Sequence, residues 1–369
     1  MNWSESDYRY MSRALQLARR GLYTTHPNPG VGCVLVRNGS VVGEGWHRLA
    51  GGPHAEIMAL EAAGPDAADA DCYVTLEPCS HSGRTPPCTD ALLAADIGNV
   101  FIATPDPNPL VAGKGIKQLE AGGITVYTGL LKDEAKALNA GFEMRMRHGR
   151  PFVRCKQAMS TDGRTAMADG ESRWITGEDA RHDVQHLRAR SSAIMTGINT
   201  VLADDPLLTV REIEIQDRRP LRVILDRRLR TPPEARILDR SGEVIIFATT
   251  ENKPAMEKLI EHGAEVIVFE ETNAGAFLNR VLQYLAREKQ VNDLLLEAGP
   301  VLSGAMLSAG LVDEILLYLA PVLLGHAAMP LFELPAIRSM QDKVPLRFTD
   351  IRMIGQDLRL TLKPQATSH

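Results

Sequence analysis

The chain has 369 residues, and because a single hydrophobic core rarely grows beyond about 250 residues, we expect two domains. Hydrophobic residues make up 44% of the chain and charged residues 24%, a balance that is typical of globular proteins and excludes a disordered one. The formal net charge is −5 and Lys and Arg form no dense run, so we expect no nucleic acid as a partner. The apolar runs are far shorter than the roughly 20 residues that span a bilayer, and no signal-peptide pattern is visible. We therefore expect no membrane partner and a cytoplasmic location.

Helical and strand-like patterns alternate through the first part of the chain. The predicted elements are a helix over about 7–20, a strand over 31–36 followed by a hairpin turn at 38–39, a helix over 54–63, a strand over 72–76, a helix over 88–95, a strand over 100–103, a helix over about 114–121, a strand over 124–127 and a helix over about 131–147. This order predicts an α/β layer with parallel crossovers after an initial hairpin.

The segment from Arg145 to Pro151 combines basic residues with Gly and Pro, which is typical of a helix end. It marks the predicted boundary between a domain over 1–149 and a domain over 150–369. The α/β pattern then begins again. The predicted strands of this second domain are 152–156, 193–196, 222–226, 244–248, 265–269, 293–296, about 312–319, 347–353 and 357–363.

The five cysteines are Cys33, Cys72, Cys79, Cys88 and Cys155. An odd number without a secretion signal argues against a disulfide framework, and four cysteines before residue 90 favour metal binding or catalysis in the first domain. Cys33 and Cys72 lie in apolar strands, so we expect them to be core residues.

Four residues of the first domain have the types that build a catalytic zinc site: His54, Glu56, Cys79 and Cys88. Prolines directly before the histidine and before the second cysteine place both at helix N-termini, where partial positive charge favours a thiolate. One His and two Cys leave the fourth position of tetrahedral zinc open for a water molecule, which the metal activates. In the zinc deaminases the glutamate of His-x-Glu is the acid and base rather than a ligand. The pattern therefore predicts a deaminase with Glu56 as its catalytic residue.

The strict deaminase pattern Pro-Cys-x-x-Cys fails in this chain, because its last position is Ser82. Only the longer spacing to Cys88 supplies the second thiol. A rival interpretation makes His81 a fourth protein ligand, which would close the site and make the zinc structural. That arrangement would leave Glu56 without a task.

The chain closely resembles the bacterial bifunctional proteins of riboflavin biosynthesis, in which a pyrimidine deaminase is fused to a reductase, and the resemblance covers nearly the whole sequence. The motifs that carry it are His-Pro-Asn-Pro-Gly-Val-Gly at 26–32, Pro-His-Ala-Glu at 53–56, Thr-Leu-Glu-Pro-Cys-Ser-His at 75–81, Gly-Arg-Thr-Pro-Pro-Cys at 83–88, Asp-Pro-Asn-Pro-Leu-Val-Ala-Gly-Lys-Gly at 106–115, Asp-Gly-Arg-Thr-Ala at 162–166, Trp-Ile-Thr at 174–176, Val-Leu-Ala-Asp-Asp-Pro-Leu-Leu-Thr at 201–209 and Glu-Ala-Gly-Pro at 297–300. The family has the same spacing between its two cysteines, which explains the departure at Ser82.

The resemblance implies a mixed α/β fold with a cytidine-deaminase-like three-layer α/β/α domain followed by a dihydrofolate-reductase-like α/β domain. It implies two consecutive steps on a phosphorylated pyrimidine: zinc-dependent deamination, then reduction of a ribosyl chain to a ribityl chain by NADPH. The expected cofactors are Zn²⁺ and NADPH, and the expected partner is this small-molecule substrate. Because cytoplasmic α/β enzymes are commonly symmetric assemblies, we also expect a homo-oligomer.

No Gly-x-Gly-x-x-Gly motif follows a strand in the second domain, so an ordinary dinucleotide-binding fold is not supported. Gly299 and Pro300 follow a strand and open a helix, whose backbone amides would suit a cofactor phosphate; a turn with a purely geometric role is the alternative. By resemblance, the cofactor contacts are Ala158, Trp174, Thr200, Asp204, Gly299, Pro300, Val301, Leu302, Ser303, Gly304 and Ala305. By resemblance, the substrate contacts are Ser172, Arg188, Leu208, Arg211 and Glu297.

Two of these residues have plain structural alternatives. Arg188 lies on a charged helix, whose face could simply be solvated, and Trp174 could belong to the core. Two rival functions also remain: a nucleoside or tRNA deaminase with an unrelated second domain, and a non-enzymatic, zinc-stabilised nucleotide-binding protein. The acidic balance argues against the first, and the second predicts a zinc site closed by four protein ligands.

Overall fold

The structure is a computed structural model that describes residues 3–80, 86–109, 111–216, 218–239 and 241–365. It divides into two compact units, Met1–Gly149 and Arg150–His369. Each unit has its own sheet and its own hydrophobic cores. None of the helices among the described residues combines the length and the apolar character that a membrane crossing requires.

The N-terminal unit alternates helices and strands after an initial hairpin. Its elements are α1 (Glu5–Arg19), β1 (Gly32–Arg37), β2 (Ser40–Trp46), α2 (Ala55–Ala63), a short 3-10 helix (Gly64–Ala67), β3 (Asp71–Val74), α3 (Cys88–Ala94), β4 (Asn99–Ile102), α4 (Lys114–Ala121), β5 (Thr125–Thr128), α5 (Lys132–Leu138) and α6 (Ala140–His148). The predicted elements are confirmed to within a few residues, except for the last helix.

The sheet of this unit has the strand order β2-β1-β3-β4-β5. β1 is antiparallel to both β2 and β3, whereas β3, β4 and β5 are parallel. One core packs α2, α3 and α4 against one face of the sheet, and a second core packs α1 and α5 against the other face. The unit is therefore the three-layer α/β/α arrangement that was expected.

The predicted helix over 131–147 is wrong as a single element, because it breaks at Asn139. The Asn139 side chain accepts a hydrogen bond from the Gly30 N–H (2.8 Å) and donates one to the Gly30 carbonyl (2.9 Å). Its backbone has φ −108° and ψ 30°, outside the helical range. A long-range contact with a buried loop thus overrides the helical pattern of the segment, and the sequence carries no local signal for it.

The C-terminal unit is a larger α/β layer. Its elements are β6 (Phe152–Ser160), β7 (Arg164–Ala166), α7 (Glu178–Arg190), β8 (Ala193–Gly197), α8 (Ile198–Asp204), β9 (Leu221–Leu225), a 3-10 helix (Arg236–Leu238), β10 (Val244–Ala248), α9 (Lys253–Glu261), β11 (Ala264–Val268), α10 (Ala274–Arg287), β12 (Asp293–Leu296), α11 (Pro300–Ser308), β13 (Glu314–Ala320), β14 (Met329–Pro330), a 3-10 helix (Met340–Asp342), β15 (Leu346–Ile354) and β16 (Asp357–Pro364). All nine strands predicted for this unit are confirmed.

Nine strands form one sheet in the order β11-β10-β9-β8-β12-β6-β13-β16-β15. The first seven are parallel, and β16 and β15 complete one edge as an antiparallel hairpin. α10 and α11 cover one face, and α7, α8 and α9 cover the other. The carboxyl ends of the parallel strands therefore meet at one edge of the sheet, which is where ligands bind in open α/β sheets.

Candidate functional site

The predicted zinc ligands come from three separate segments of the N-terminal unit. His54 is the N-cap of α2, with φ −74° and ψ 164°, and Cys88 is the first residue of α3. Cys79 lies in the loop after β3. The two prolines before the histidine and the second cysteine thus have the effect expected from the sequence, because both residues stand where a helix begins.

These three side chains converge in the structure. The His54 Nδ1 atom lies 3.2 Å from the Cys88 Sγ atom and 3.5 Å from the Cys79 Sγ atom. All three potential ligand atoms lie within 4.8 Å of one another, and this is the one such cluster of His, Cys, Asp or Glu among the described residues. One imidazole and two thiols fit the donor set of a catalytic zinc ion. Residues 81 and 82, which include the rival ligand His81, lie outside the described residues.

The two thiols differ in their acidity. The hydrogen bond from the Cys88 side chain is the main cause that lowers the pKa of the Cys79 thiol to about 4, and the bond to His54 adds to it. The same contact with Cys79, together with burial, raises the pKa of the Cys88 thiol. The pair therefore holds a thiolate at neutral pH even without a cation, and a dication would favour loss of the second proton.

Glu56 lies in the first turn of α2, two residues beyond His54, and its side chain is buried. Burial raises its pKa above the usual range for a carboxyl group, while the neighbouring imidazole opposes this change. A carboxyl group whose pKa is moved towards neutrality is well suited to take up and release a proton. Its position matches the catalytic role predicted from the sequence.

Two glycines of β2 bring α2, and with it Glu56, close to the sheet. A Cβ atom on Gly43 would lie 2.2 Å from the Ala59 carbonyl oxygen, and one on Gly45 would lie 2.2 Å from the Ala55 carbonyl oxygen. Only residues without a side chain allow this approach, so the two glycines fix the depth at which the helix sits.

Sequence reasoning missed His47, which is buried and packs edge-on against the His54 ring with 5.4 Å between the ring centroids. The His47 Nδ1 atom lies 3.0 Å from the Pro53 carbonyl oxygen, and its Nε2 atom lies 3.1 Å from the Asn28 side-chain nitrogen. Burial lowers the pKa of His47, so the neutral ring donates to the carbonyl and accepts from the amide. A lone histidine after a strand gives no signal of this position.

Glu77 is a second residue that the sequence did not single out. Its buried carboxylate accepts four backbone hydrogen bonds of 2.9–3.3 Å from the segment that follows β4. The four donors are the N–H groups of Asp106, Gly113, Gly115 and Ile116. One carboxylate thus ties the motif at 106–115 to the chain just before Cys79.

The C-terminal unit contains a cavity of about 1340 Å³ at the carboxyl ends of its parallel strands. This volume exceeds that of ordinary small-molecule pockets and is large enough for both a dinucleotide and a phosphorylated pyrimidine. The cavity is lined by all of the predicted cofactor and substrate residues except two. The lining residues among them are Ala158, Ser172, Trp174, Arg188, Thr200, Asp204, Leu208, Arg211, Glu297, Gly299, Pro300, Val301, Leu302 and Ala305.

Ser303 and Gly304 are the two predicted cofactor residues that do not line the cavity. The Ser303 hydroxyl is fully buried and lies 2.6 Å from the Gln157 side-chain nitrogen. A Cβ atom on Gly304 would lie 2.0 Å from the Glu333 carbonyl oxygen, so this glycine permits close packing on the far side of α11. In a helix that runs along a cavity, some residues must face away from it, and the motif alone does not reveal which.

Arg188 does not belong to a solvated face, because its guanidinium group is buried against Glu297. The Arg188 Nε and Nη2 atoms donate to the two Glu297 carboxylate oxygens at 2.6 and 2.9 Å, and Nη1 donates to the Thr209 carbonyl at 3.1 Å. Burial alone would raise the pKa of Glu297, but Arg188 and then Lys156 lower it. Glu297 is therefore an anion held between two cations.

Trp174 is not a core residue, since 69% of it is exposed at the cavity and the Arg181 guanidinium lies 4.6 Å from its ring centroid. The two cysteines that were expected to be core residues, Cys33 and Cys72, share a core with their Sγ atoms 3.5 Å apart, and Cys155, for which no expectation was made, lies in a core of the C-terminal unit. The exposure of Trp174 thus excludes a core position, and none of these three thiols belongs to the cluster of His54, Cys79 and Cys88.

Comparison with known proteins gives each unit a family. Residues 4–104 match the profile of the cytidine and deoxycytidylate deaminase zinc-binding region, and residues 151–360 match that of the RibD C-terminal domain. The riboflavin biosynthesis protein RibD of Escherichia coli strain K12 is 47% identical over 367 residues, with 96% of this chain and 99% of the relative covered. The chain belongs to the RibD family. The RibD protein of Haemophilus influenzae is 46% identical, with 99% of both chains covered.

Solved RibD structures have the same architecture. Acinetobacter baumannii RibD, form 1, superposes with a TM-score of 0.91 at 46% identity, covering 98% of this chain and 99% of that chain. The diaminohydroxyphosphoribosylaminopyrimidine deaminase and 5-amino-6-(5-phosphoribosylamino)uracil reductase of Thermotoga maritima superposes with a TM-score of 0.86 at 33% identity and the same coverage. The expected cytidine-deaminase-like and dihydrofolate-reductase-like folds are therefore confirmed.

Membership in the RibD family also confirms the predicted class of activity: a deaminase and a reductase of riboflavin biosynthesis on one chain. Zinc is the metal of the matched deaminase region, whose ligand set the structure brings together, and NADPH is the reductant of a RibD-type reductase. The two rival functions, a tRNA or nucleoside deaminase with an unrelated second domain and a non-enzymatic zinc protein, are not favoured.

Proposed function

We propose that residues 1–149 form the deaminase domain and replace the 2-amino group of 2,5-diamino-6-(5-phosphoribosylamino)pyrimidin-4-one by an oxygen atom from water, with release of ammonia. His54, Cys79 and Cys88 hold the zinc ion in this proposal. When bound there, zinc lowers the pKa of a water molecule so that it becomes a nucleophile near neutral pH. The convergence of the three side chains beside Glu56 is the observation that supports this step.

Glu56 moves the proton in this reaction. Its carboxylate takes a proton from the attacking water and delivers it to the departing nitrogen, so that ammonia leaves as a neutral molecule. Burial raises the pKa of this carboxyl group, which favours its protonated form and so supports delivery of the proton to the departing nitrogen. Because the Glu56 side chain is buried, bulk water has little access to the proton that it carries.

We propose that residues 150–369 form the reductase domain and convert the ribosyl chain of the deaminated product to a ribityl chain. NADPH, when bound, supplies the hydride. The first turn of α11, from Pro300 onwards, offers backbone N–H groups without intrahelical partners to a phosphate of the cofactor. Trp174, Thr200 and Asp204 complete the cofactor contacts along the cavity.

Substrate binding is assigned to residues around Glu297 that line the same cavity. Glu297 and Arg188 hold each other in one orientation, and the buried ammonium group of Lys156, which also lines the cavity, interacts with both charges. Burial lowers the pKa of Lys156, which favours donation of its proton to the substrate. Arg211, which is exposed at the cavity, is the proposed partner of the ribose phosphate, together with Ser172 and Leu208.

Metal analysis combined with ammonia release tests the deaminase assignment. We expect the purified protein to hold one zinc ion per chain and to release ammonia from the diaminopyrimidine without NADPH. Removal of the zinc by a chelator should abolish ammonia release, and added zinc should restore it. Ammonia release at an unchanged rate from metal-free protein would refute the assignment.

We also infer the finer properties of this enzyme. The thiols of Cys79 and Cys88 must stay reduced to bind zinc, which suits a cytoplasmic enzyme.

β15 is an edge strand on which Phe348, Ile351 and Met353 are 56%, 58% and 60% exposed, and such an apolar edge favours association of two copies. We expect no nucleic acid and no membrane among its partners. Sedimentation velocity of the wild type and of Ile351→Lys tests the homo-oligomer, which the substitution should weaken.

A further inference from the structure

The loop between α8 and β9 carries Arg211, and its backbone is strained on both sides of that residue. Leu208 has a φ of +50° and Glu212 has a φ of +65°, values that residues with a side chain rarely adopt. Leu208 is also buried in a core of the C-terminal unit. Because such conformations persist only where the surrounding fold imposes them, contacts from outside the loop must hold it in this shape.

Two side chains of α7 supply such contacts. The Arg188 Nη1 atom donates a hydrogen bond to the Thr209 carbonyl at 3.1 Å, and the Gln185 side-chain oxygen accepts one from the Arg211 N–H at 3.0 Å. Residues that are three apart on a helix are neighbours on its surface, so both contacts come from one face of α7. The helix therefore holds the loop at two alternate residues.

Gln185 is the α7 residue whose contact bears most directly on the shape of the loop. Arg188 is also bound to Glu297, and a third contact, between His182 Nδ1 and Glu212 Oε2 at 3.2 Å, joins two exposed side chains and is therefore weak. Gln185 is buried. Loss of its acceptor oxygen would leave a partly buried N–H group without its partner, which is more costly than loss of an exposed contact.

The side chain of Arg211 is exposed at the cavity, whereas its backbone is held. Among the residues that the structure describes, its guanidinium group forms no ion pair with a carboxylate. A planar guanidinium fork matches the oxygen atoms of a phosphate group. A fixed backbone beneath it lowers the entropy cost of that contact.

We propose that Gln185 is a positioning residue that gives the reductase its preference for a phosphorylated substrate. By holding the Arg211 N–H, it fixes the point from which the guanidinium group reaches the ribose phosphate. This inference rests on the proposed role of Arg211 in the reductase. Without Gln185 the strained loop can relax and Arg211 moves with it, while the site of hydride transfer beside Glu297 is unchanged. The loss therefore falls on KM rather than on kcat.

Steady-state reduction of the deaminated intermediate by NADPH tests the proposal, with the intermediate used both intact and after removal of its phosphate by a phosphatase. Gln185→Met keeps the length of the side chain and removes the acceptor oxygen. We expect it to raise KM for the phosphorylated intermediate roughly 5- to 20-fold, with kcat within about threefold of the wild type. Its kcat/KM for the dephosphorylated intermediate should stay within about threefold of the wild-type value.

The matched control is Gln283→Met on α10, which makes the same chemical change at a partly buried position that does not line the cavity. It should match the wild type with both substrates. Gln185→Asn is a second variant, which keeps a polar amide but shortens the side chain so that its oxygen no longer reaches the Arg211 N–H. It should raise KM as Gln185→Met does, and circular dichroism establishes that each variant is folded.

A double-mutant cycle with Arg211→Met shows whether Gln185 acts through Arg211. The double variant should match Arg211→Met alone within about twofold, because removal of the guanidinium group leaves Gln185 nothing to position. Additive losses, equal losses for the two substrates, or an unchanged KM in both folded Gln185 variants would overturn the proposal while leaving the reductase function intact. Failure of the folded wild type to reduce the intermediate would instead contradict the reductase function itself.

Discussion

Two buried glutamates of this chain have opposite surroundings, and their surroundings explain their different roles. Burial raises the pKa of Glu56, and the neighbouring imidazole compensates only in part. For Glu297 burial acts in the same direction, but the adjacent Arg188 guanidinium outweighs it and lowers the pKa. The pKa of Glu56 is thus shifted in the direction that favours the protonated carboxyl group, whereas Glu297 is held as an anion beside Arg188.

We expect Glu56→Gln to retain zinc and to lose deamination by roughly 10²- to 10⁴-fold, because the amide keeps the size of the side chain but cannot carry the proton. Ammonia release and metal content measure the two effects separately. The same variant should still reduce the deaminated intermediate with NADPH at the wild-type rate. Full deamination by a zinc-loaded variant would show that the catalytic assignment is wrong.

For Glu297→Gln we expect a loss of about 3–5 kcal/mol in the free energy of unfolding of the C-terminal unit, because the buried Arg188 would lose its anionic partner. The matched control is Arg352→Ala, which removes an ion pair whose side chains are 53% and 34% exposed and should change stability by about 0–1 kcal/mol. Urea denaturation measures both. Equal effects of the two substitutions would contradict a buried, structurally important pair.

For single residues, the sequence predicted which residue types form a site better than it predicted which way their side chains face. The convergence of His54, Cys79 and Cys88 could be predicted because the types and the spacing of these residues, together with Glu56, are typical of one kind of site. Ser303 and Gly304 were placed with the cofactor although they face away from the cavity, since a contiguous motif does not show which side of α11 is exposed. His47 gave no signal at all, because only the folded chain brings it to His54.

Among the elements, the loop that follows β4 depends on a single side chain from another segment. The Glu77 carboxylate accepts hydrogen bonds from the Asp106 N–H within this loop and from the Gly115 N–H in the first turn of α4, just after the loop ends. Because Glu77 lies two residues before Cys79, the same carboxylate couples the loop to a proposed zinc ligand. Carboxylates that accept several backbone bonds are strong organisers of loops.

We expect Glu77→Gln to destabilise the N-terminal unit by roughly 1–3 kcal/mol, because the amide has one acceptor oxygen and leaves buried N–H groups without a partner. Its zinc affinity should fall as well, since the segment before Cys79 loses its anchor. The control Asp90→Asn alters a hydrogen bond from Gln118 at an exposed position and should stay within about 0.5 kcal/mol of the wild type. Thermal unfolding and competition with a zinc chelator measure these effects, and a variant with wild-type zinc affinity would exclude the coupling.

Strands and helices with strong local patterns were predictable, as the hairpin at Asn38-Gly39 shows. Both residues have positive φ values, 50° and 75°, as the predicted two-residue turn requires. The break between α5 and α6 was not predictable, because Asn139 is pulled out of the helix by Gly30, more than a hundred residues away along the chain. Local patterns report local energies, and long-range hydrogen bonds can override them.

At the scale of the whole molecule, the chain consists of two units whose cores are built from their own residues alone. A unit that buries its own apolar surface can fold without its neighbour. The boundary at Gly149 and Arg150 lies where basic residues, Gly and Pro mark a helix end in the sequence. Independent folding of the two halves follows from this organisation.

We therefore expect a fragment that begins at Arg150 to fold and to oxidise NADPH when it is given the deaminated intermediate. The fragment should not release ammonia from the diaminopyrimidine, because it contains none of the zinc ligands. Circular dichroism establishes whether the fragment is folded, and NADPH absorbance follows the reaction. Failure of correctly folded fragment to oxidise NADPH would contradict independent domains.

We expect one chain to carry out deamination and then reduction of the same pyrimidine. Incubation of the full-length protein with the diaminopyrimidine, with ammonia and NADPH absorbance followed together, tests both steps and their order in one experiment. We predict ammonia release without NADPH, and with NADPH the oxidation of one NADPH for each ammonia, with a lag before NADPH is consumed. Oxidation of NADPH at the full rate before any ammonia appears would contradict the order of the two steps, and the absence of both products would contradict the function itself.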